Sequence, residues 1–222
     1  MLDLLIDLDN TIYAESEKIF SQVDLRMKKF ISNKLEVDSK KAFLIQKKYF
    51  KENGTTLRGL MIHHNIKPEP FLSYVHDIDL TSIKKNLKLK KLLKKYKGKK
   101  IIFTNGTLKH AKNVLKKIDV HEYIDDIFDI EDANYIPKPQ KDSYLKVLKK
   151  FNLEPSNTVM IDDIPSNLNT AYKIGIKTIL IKKNNKEIYN YIDHVNYDIS
   201  NVISKLINKE IFYEIKKIWE RN

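Results

Sequence analysis

Cysteine is absent from the 222 residues, which excludes disulfides and thiolate metal sites. No apolar run approaches the roughly 20 residues that a membrane-spanning helix requires. The apolar run at the amino terminus has no basic segment before it and ends in Asp7 and Asp9. It reads as a core strand and not as a secretory signal. A cytoplasmic protein with no membrane partner is therefore expected. Arginine is scarce: of 41 basic residues, only Arg26, Arg58 and Arg221 are Arg. Nucleic-acid readers depend on the bidentate guanidinium. The net charge of +12 thus reads as a solvated lysine surface, able to steer small phosphorylated molecules, and no nucleic-acid partner is expected.

The chain is 42% hydrophobic, enough for a sizeable core in one domain, or in one core domain with a smaller insert. Short runs rich in Ile, Val, Leu and Phe at 2–8, 100–104, 127–130, 158–162 and 177–181 read as strands. Helical patterns lie between the later ones, at about 107–118, 140–151 and 166–174. This alternation predicts an α/β fold with a parallel sheet covered by helices on both faces. A further edge strand is expected at 195–199, then a final helix over 200–220 carrying Ile203, Ile207, Ile211, Ile215 and Ile218. The segment 14–85 breaks the alternation. Its patterns at 16–34, 38–53, 56–64 and 68–76 are all helical, with Asp38 as an N-cap and Gly54 as a stop. The expected division is a core of 1–13 plus 86–222 and a helical insert of 14–85.

Four motifs stand at strand ends. Residues i and i+2 of a strand point the same way, so Asp7 and Asp9 are expected to project together at the carboxyl edge, where open parallel sheets bind ligands. Two such carboxylates call for a cation, and Mg²⁺ is the usual hard partner. One acid can attack phosphorus while the other moves protons. Thr104, after Ile101-Ile102-Phe103, offers a hydroxyl, and with Asn105 and a helix N-terminus it is expected to bind the substrate. Lys138 is flanked by Pro137 and Pro139, which fix the loop that carries it. A held ammonium there would stabilise both a carboxylate nucleophile and a phosphate dianion. Asp162 and Asp163 close the run Thr158-Val159-Met160-Ile161, and two acids in such a crevice need compensation by metal or cation. Asn167 follows within reach of the same loop.

Asp7-Leu8-Asp9-Asn10-Thr11, Phe103-Thr104-Asn105-Gly106, Lys138 in Ile-Pro-Lys-Pro, and Asp162-Asp163 together resemble the haloacid dehalogenase superfamily of Asp-nucleophile phosphohydrolases. The resemblance implies a Rossmann-like parallel sheet core with a helical cap inserted after the first strand. It implies Asp7 as nucleophile, Asp9 as general acid/base, and Thr104 and Lys138 as phosphoryl-binding groups. It also implies Mg²⁺ held by Asp7, the backbone carbonyl of Asp9 and Asp163, with Asp162 direct or through water. Dehalogenase members lack the second acid of the first motif; Asp9 is present, so the chain resembles the phosphatases.

Such a cap shuts out water and favours small substrates. The cap segment Tyr49-Phe50-Lys51-Glu52-Asn53-Gly54-Thr55-Thr56-Leu57-Arg58-Gly59-Leu60 is similar to that of the pyrimidine 5′-nucleotidase branch. The expectation is therefore a Mg²⁺-dependent phosphomonoesterase acting on a small phosphorylated metabolite, most simply a nucleoside 5′-monophosphate, as a monomer or dimer. Arg58 would meet the base or phosphate, and Tyr49 or Phe50 would stack on the base. The alternative is the same chemistry, or a phosphomutase, on sugar phosphates or other small esters. A non-catalytic RNA-binding module is the distant alternative.

Overall fold

The computed structural model describes residues 1–183 and 189–211. Six strands form one parallel sheet: β1 (Asp3–Ile6), β2 (Lys100–Phe103), β3 (Asp126–Phe128), β4 (Thr158–Asp162), β5 (Lys177–Ile181) and β6 (His194–Asn196). Their order is β3-β2-β1-β4-β5-β6, which places the first strand centrally. Leu4 of β1 pairs with Lys100 of β2 on one side and Val159 of β4 on the other.

The period of two along β1 divides the core. Leu4 and Ile6 join one apolar cluster, with Leu89, Leu93, Val114, Val202 and Ile203. Leu5 joins the other, with Phe103, Tyr144, Val147, Met160 and Leu168. Helices α5 (Leu87–Lys95), α6 (Leu108–Ile118) and α9 (Ile199–Ile207) cover the first face, and α7 (Lys141–Phe151) and α8 (Pro165–Lys173) cover the second. A strand buried on both faces is why β1 reads as a continuous apolar run.

Between β1 and β2 lie α1 (Ile19–Leu35), α2 (Ser39–Asn53), α3 (Thr56–His64) and α4 (Pro68–Val75). They share a separate cluster that includes Val23, Ile31, Leu60, Phe71 and Val75. Asp38 caps α2 by accepting from Lys40 N and Lys41 N, and Thr55 caps α3 by accepting from Arg58 N. Gly54 separates the two helices at φ +84°, a left-handed conformation that glycine takes without penalty. A Cβ there would lie 3.1 Å from Lys138 O and 3.1 Å from Pro139 Cδ. The α2–α3 turn is thus seated on the Lys138 loop.

Several boundaries differ from the sequence reading, the edge strand among them: β6 covers His194–Asn196, and α9 already starts at Ile199. The first strand stops at Ile6 because the chain turns: Thr11 N and Ile12 N donate to Leu8 O, and Asn10 has φ 59°. Asp7 N still donates to Ile161 O of β4, whereas Asp9 lies in the turn, so strand alternation does not carry through to Asp9. The third strand ends at Phe128 because the buried Asp129 carboxylate folds the chain around itself, accepting from Leu108 N, Glu131 N and Asp132 N. Helix α9 ends at Ile207, short of the expected 200–220 span, and Ile211 is buried beyond it. Ile215 and Ile218 lie outside the described residues. No described helix is long and apolar enough to cross a membrane.

Candidate active site

The carboxyl edges of β1, β2 and β4 and the loop before α7 bring Asp7, Thr104, Lys138, Asp162 and Asp163 together. Lys138 is the centre. Its side chain is 1% exposed, and its ammonium donates to Asp7 Oδ1 at 2.7 Å, Phe103 O at 2.7 Å and Asp162 Oδ2 at 2.9 Å. Three donors meet three acceptors. Burial works against the ammonium, but Asp162 and Asp7 outweigh it and hold its pKa above the usual lysine value.

One cation does not balance three acids. Carboxylate oxygens of Asp7, Asp162 and Asp163 all lie within 4.8 Å of one another. Burial pushes the Asp7 carboxyl up despite Lys138, with Asp162 adding to the rise. Burial and then the Asp7 and Asp162 charges push Asp163 up as well. Closely spaced hard oxygen donors with excess negative charge fit a divalent cation such as Mg²⁺. The three are not equivalent donors. Asp162 Oδ1 accepts from Ile164 N and Asn167 Nδ2, and its Oδ2 accepts from Lys138 Nζ and Asn167 Nδ2. Asp162 is fully buried, whereas Asp7 and Asp163 line the cavity.

Thr104 Oγ1 accepts from Gly106 N at 2.9 Å, which leaves its own hydrogen to donate. Asn105 lines the cavity beside Thr104, and its side chain also holds the Lys138 loop. Its Oδ1 accepts from Lys138 N at 2.8 Å and its Nδ2 donates to Lys138 O at 3.1 Å. The side chain clasps the Lys138 peptide and so sets where the ammonium sits.

Asp9 lies apart from this cluster. Its Oδ1 accepts from Tyr13 Oη at 2.6 Å and from His110 Nε2 at 2.9 Å. Burial works against its charge, but His110 and Tyr13 more than compensate, so its pKa is lowered. Burial opposes the His110 cation too, and Asp9 overrides it and raises the imidazole pKa. His110 and Tyr13 received no role from the sequence. Tyr13 lies within the extended first motif, four residues after Asp9, and His110 lies in the first turn of α6. Both signals are visible only once the turn after β1 is known.

The cavity above these groups measures 220 Å³. Its cap wall includes Phe20, Val23, Met27 and Phe50, with Asp24, Gln46 and Lys47 at the polar side. Lys47 Nζ and Gln46 Nε2 both donate to Asp24 Oδ1. Arg58 is not among the lining residues. It sits on the first turn of α3, where its backbone N–H serves the Thr55 cap. Tyr49 belongs to the cap core: it is 8% exposed, its hydroxyl is 2.7 Å from His64 Nε2, and its ring stacks on His63. Phe50, on the next position of α2, does reach the cavity. A larger groove of 730 Å³ lies along the β3 edge between Lys112, Asp125, Asp126 and Lys150, away from the buried acids.

The chain is similar to known proteins in sequence and in fold. The chain is 26% identical to phosphate metabolism protein 8 of Saccharomyces cerevisiae, over 96% of this chain and 69% of that protein. It is 24% identical to glyceraldehyde 3-phosphate phosphatase of Methanocaldococcus jannaschii, over 96% of this chain and 98% of that protein. The fold is similar to that of a phosphatase of the same superfamily from Thermococcus onnurineus, with TM-score 0.60 and 19% identity, covering 95% of this chain and 98% of the other. Residues 4–175 match the model of the haloacid dehalogenase-like hydrolases, and the chain belongs to that family.

Proposed function

We propose that the protein is a Mg²⁺-dependent phosphomonoesterase that works through an aspartyl-phosphate on Asp7 and takes small phosphate esters. The observation that carries this reading is the buried triad of Asp7, Asp162 and Asp163 around Lys138, opening onto a cavity of 220 Å³. The name of the Methanocaldococcus relative supports the same class of substrate.

Asp7 and Asp163 are the direct ligands in this proposal, together with the Asp9 carbonyl. Asp162 stands behind them because both its oxygens are engaged by protein donors. Bound Mg²⁺ supplies positive charge for the nucleophile and the phosphoryl oxygens. The Lys138 ammonium keeps Asp7 Oδ1 fixed, and the Thr104 hydroxyl donates to a phosphoryl oxygen. Asp7 attacks phosphorus while Asp9 protonates the leaving oxygen. Asp9 is ionised in the free enzyme; a phosphate dianion arriving beside it raises its proton affinity, and the proton comes from solvent. Asp9 then accepts a proton from the water that cleaves the intermediate.

Within this class, the nucleoside 5′-monophosphate reading is favoured by one feature: Phe20, Val23, Met27 and Phe50 give the cap wall an apolar surface suited to a flat ring. Triose and sugar phosphates would leave that surface in contact with hydroxyls. The test is a panel of phosphate monoesters scored by kcat/KM with Mg²⁺ and with EDTA. Release of phosphate only with the metal is expected, with UMP or CMP above glyceraldehyde 3-phosphate. A reversed order overturns the nucleotide reading alone, and no release from any ester overturns both.

A further inference from the structure

Asp9 is held by two donors on a single oxygen. Tyr13 Oη and His110 Nε2 both reach Oδ1, at 2.6 and 2.9 Å. Taking Oδ1 as acceptor from both puts the hydrogen on Nε2. Among the described residues, no hydrogen bond reaches Oδ2, and Asp9 lines the cavity. His110 is itself fixed. It is 2% exposed, and the His76 ring stacks on it at 4.4 Å with 10° between the planes. His76 directly follows α4, the last helix of the cap, and its Nδ1 lies 3.3 Å from Thr107 Oγ1 at the start of α6. A chain of contacts thus runs from the end of the cap through a core helix to the carboxylate.

We propose that His110, braced by His76 and assisted by Tyr13, is a positioning residue that turns Asp9 so that Oδ2 alone exchanges protons at the reaction centre. This rests on the phosphomonoesterase reading above. In the first half, the bond from Asp7 to phosphorus forms, the bond from phosphorus to the leaving oxygen breaks, and the proton on Asp9 Oδ2 passes to that oxygen. In the second, water bonds to phosphorus, its proton passes to Oδ2, and the Asp7–phosphorus bond breaks. Oδ1 stays on His110 and Tyr13 throughout. Without them the carboxylate rotates freely, and misplacement of about 1 Å in a reacting group costs on the order of 100-fold.

The test compares an alkyl phosphate with p-nitrophenyl phosphate, whose leaving group needs no acid. His110→Phe keeps the ring stack and removes the donor, while His110→Gln keeps a donor near the Nε2 position. For His110→Phe, kcat/KM on the alkyl ester is expected to fall by about 100-fold, and on the aryl ester by less than about threefold. On the aryl ester kcat falls more than kcat/KM, so KM falls too, because water attack also loses its base. His110→Gln restores part of the loss. Tyr13→Phe gives the same selective pattern at smaller size and serves should the His110 variants not fold. Equal losses on both esters, or a His110→Gln variant no better than His110→Phe, overturn the positioning role alone. Absence of wild-type turnover on both esters overturns the underlying reading as well.

Discussion

The two walls of the cavity are built on different physics. Along the sheet edge, Asp162 and Lys138 are paired at short range in near-complete burial, and half-buried Asn105 holds the Lys138 backbone. On the cap wall, the contacts are mostly apolar, and the one charge pair, Lys47 with Asp24, is half exposed. A buried network of charges permits few rearrangements, since a lone member left behind is costly. An apolar wall tolerates changes of shape. On the proposed reading, the sheet edge sets the reaction and the cap wall sets which leaving group is accepted.

Breaking the sheet edge gives the largest effect. Lys138→Met removes the cation from between Asp7 and Asp162; turnover is expected to fall by about 1,000-fold or more, with about 3–5 kcal/mol of stability lost in metal-free protein. Kinetics together with urea unfolding measure both. Added Mg²⁺ sharpens the same contrast. The Asp7 and Asp163 carboxyls are raised in the folded state, so metal-free protein holds more protons than the unfolded chain, and its stability falls as pH rises through the raised values. Metal binding needs those carboxylates ionised. At a fixed concentration about 100 times its Kd at neutral pH, Mg²⁺ is expected to raise Tm by about 5–10 °C, and the same concentration raises it more at alkaline than at mildly acidic pH. A shift of equal size at every pH would contradict this site.

The cap changes are smaller and act on selectivity. Phe50→Ala is expected to raise KM for the preferred ester by about 10-fold, from roughly 1–2 kcal/mol of lost apolar contact, with kcat nearly unchanged. Arg58→Ala should leave kcat and KM within about twofold, because Arg58 does not line the cavity. A large KM effect from Arg58→Ala would mean that the cap reaches the substrate by a different face.

The sequence was most legible where chemistry and backbone period coincide. Asp162 ends an apolar run and Lys138 sits between prolines, and the structure brings both to Asp7. Asp9 was placed by strand alternation, although the turn closed by Leu8 O is what positions it. Asn105 lines the cavity, and its side chain also clasps the Lys138 backbone, a contact that depends on how two loops meet. Arg58 drew attention through its rarity, and rarity in composition carries no spatial information. His76 and His110 went unread because their partnership crosses from cap to core, and neither residue's neighbours in the chain announce it.

The most direct test of the account is to trap the intermediate. Asp9→Asn should still form the phosphoenzyme from p-nitrophenyl phosphate, which needs no acid, but lack the base that removes it. After an acid quench, peptide mass spectrometry should find one phosphoryl group on the peptide containing Asp7, and none after Asp7→Asn. A phosphoryl group on any other residue, or full turnover by Asp7→Asn, would contradict the assignment of Asp7 as nucleophile.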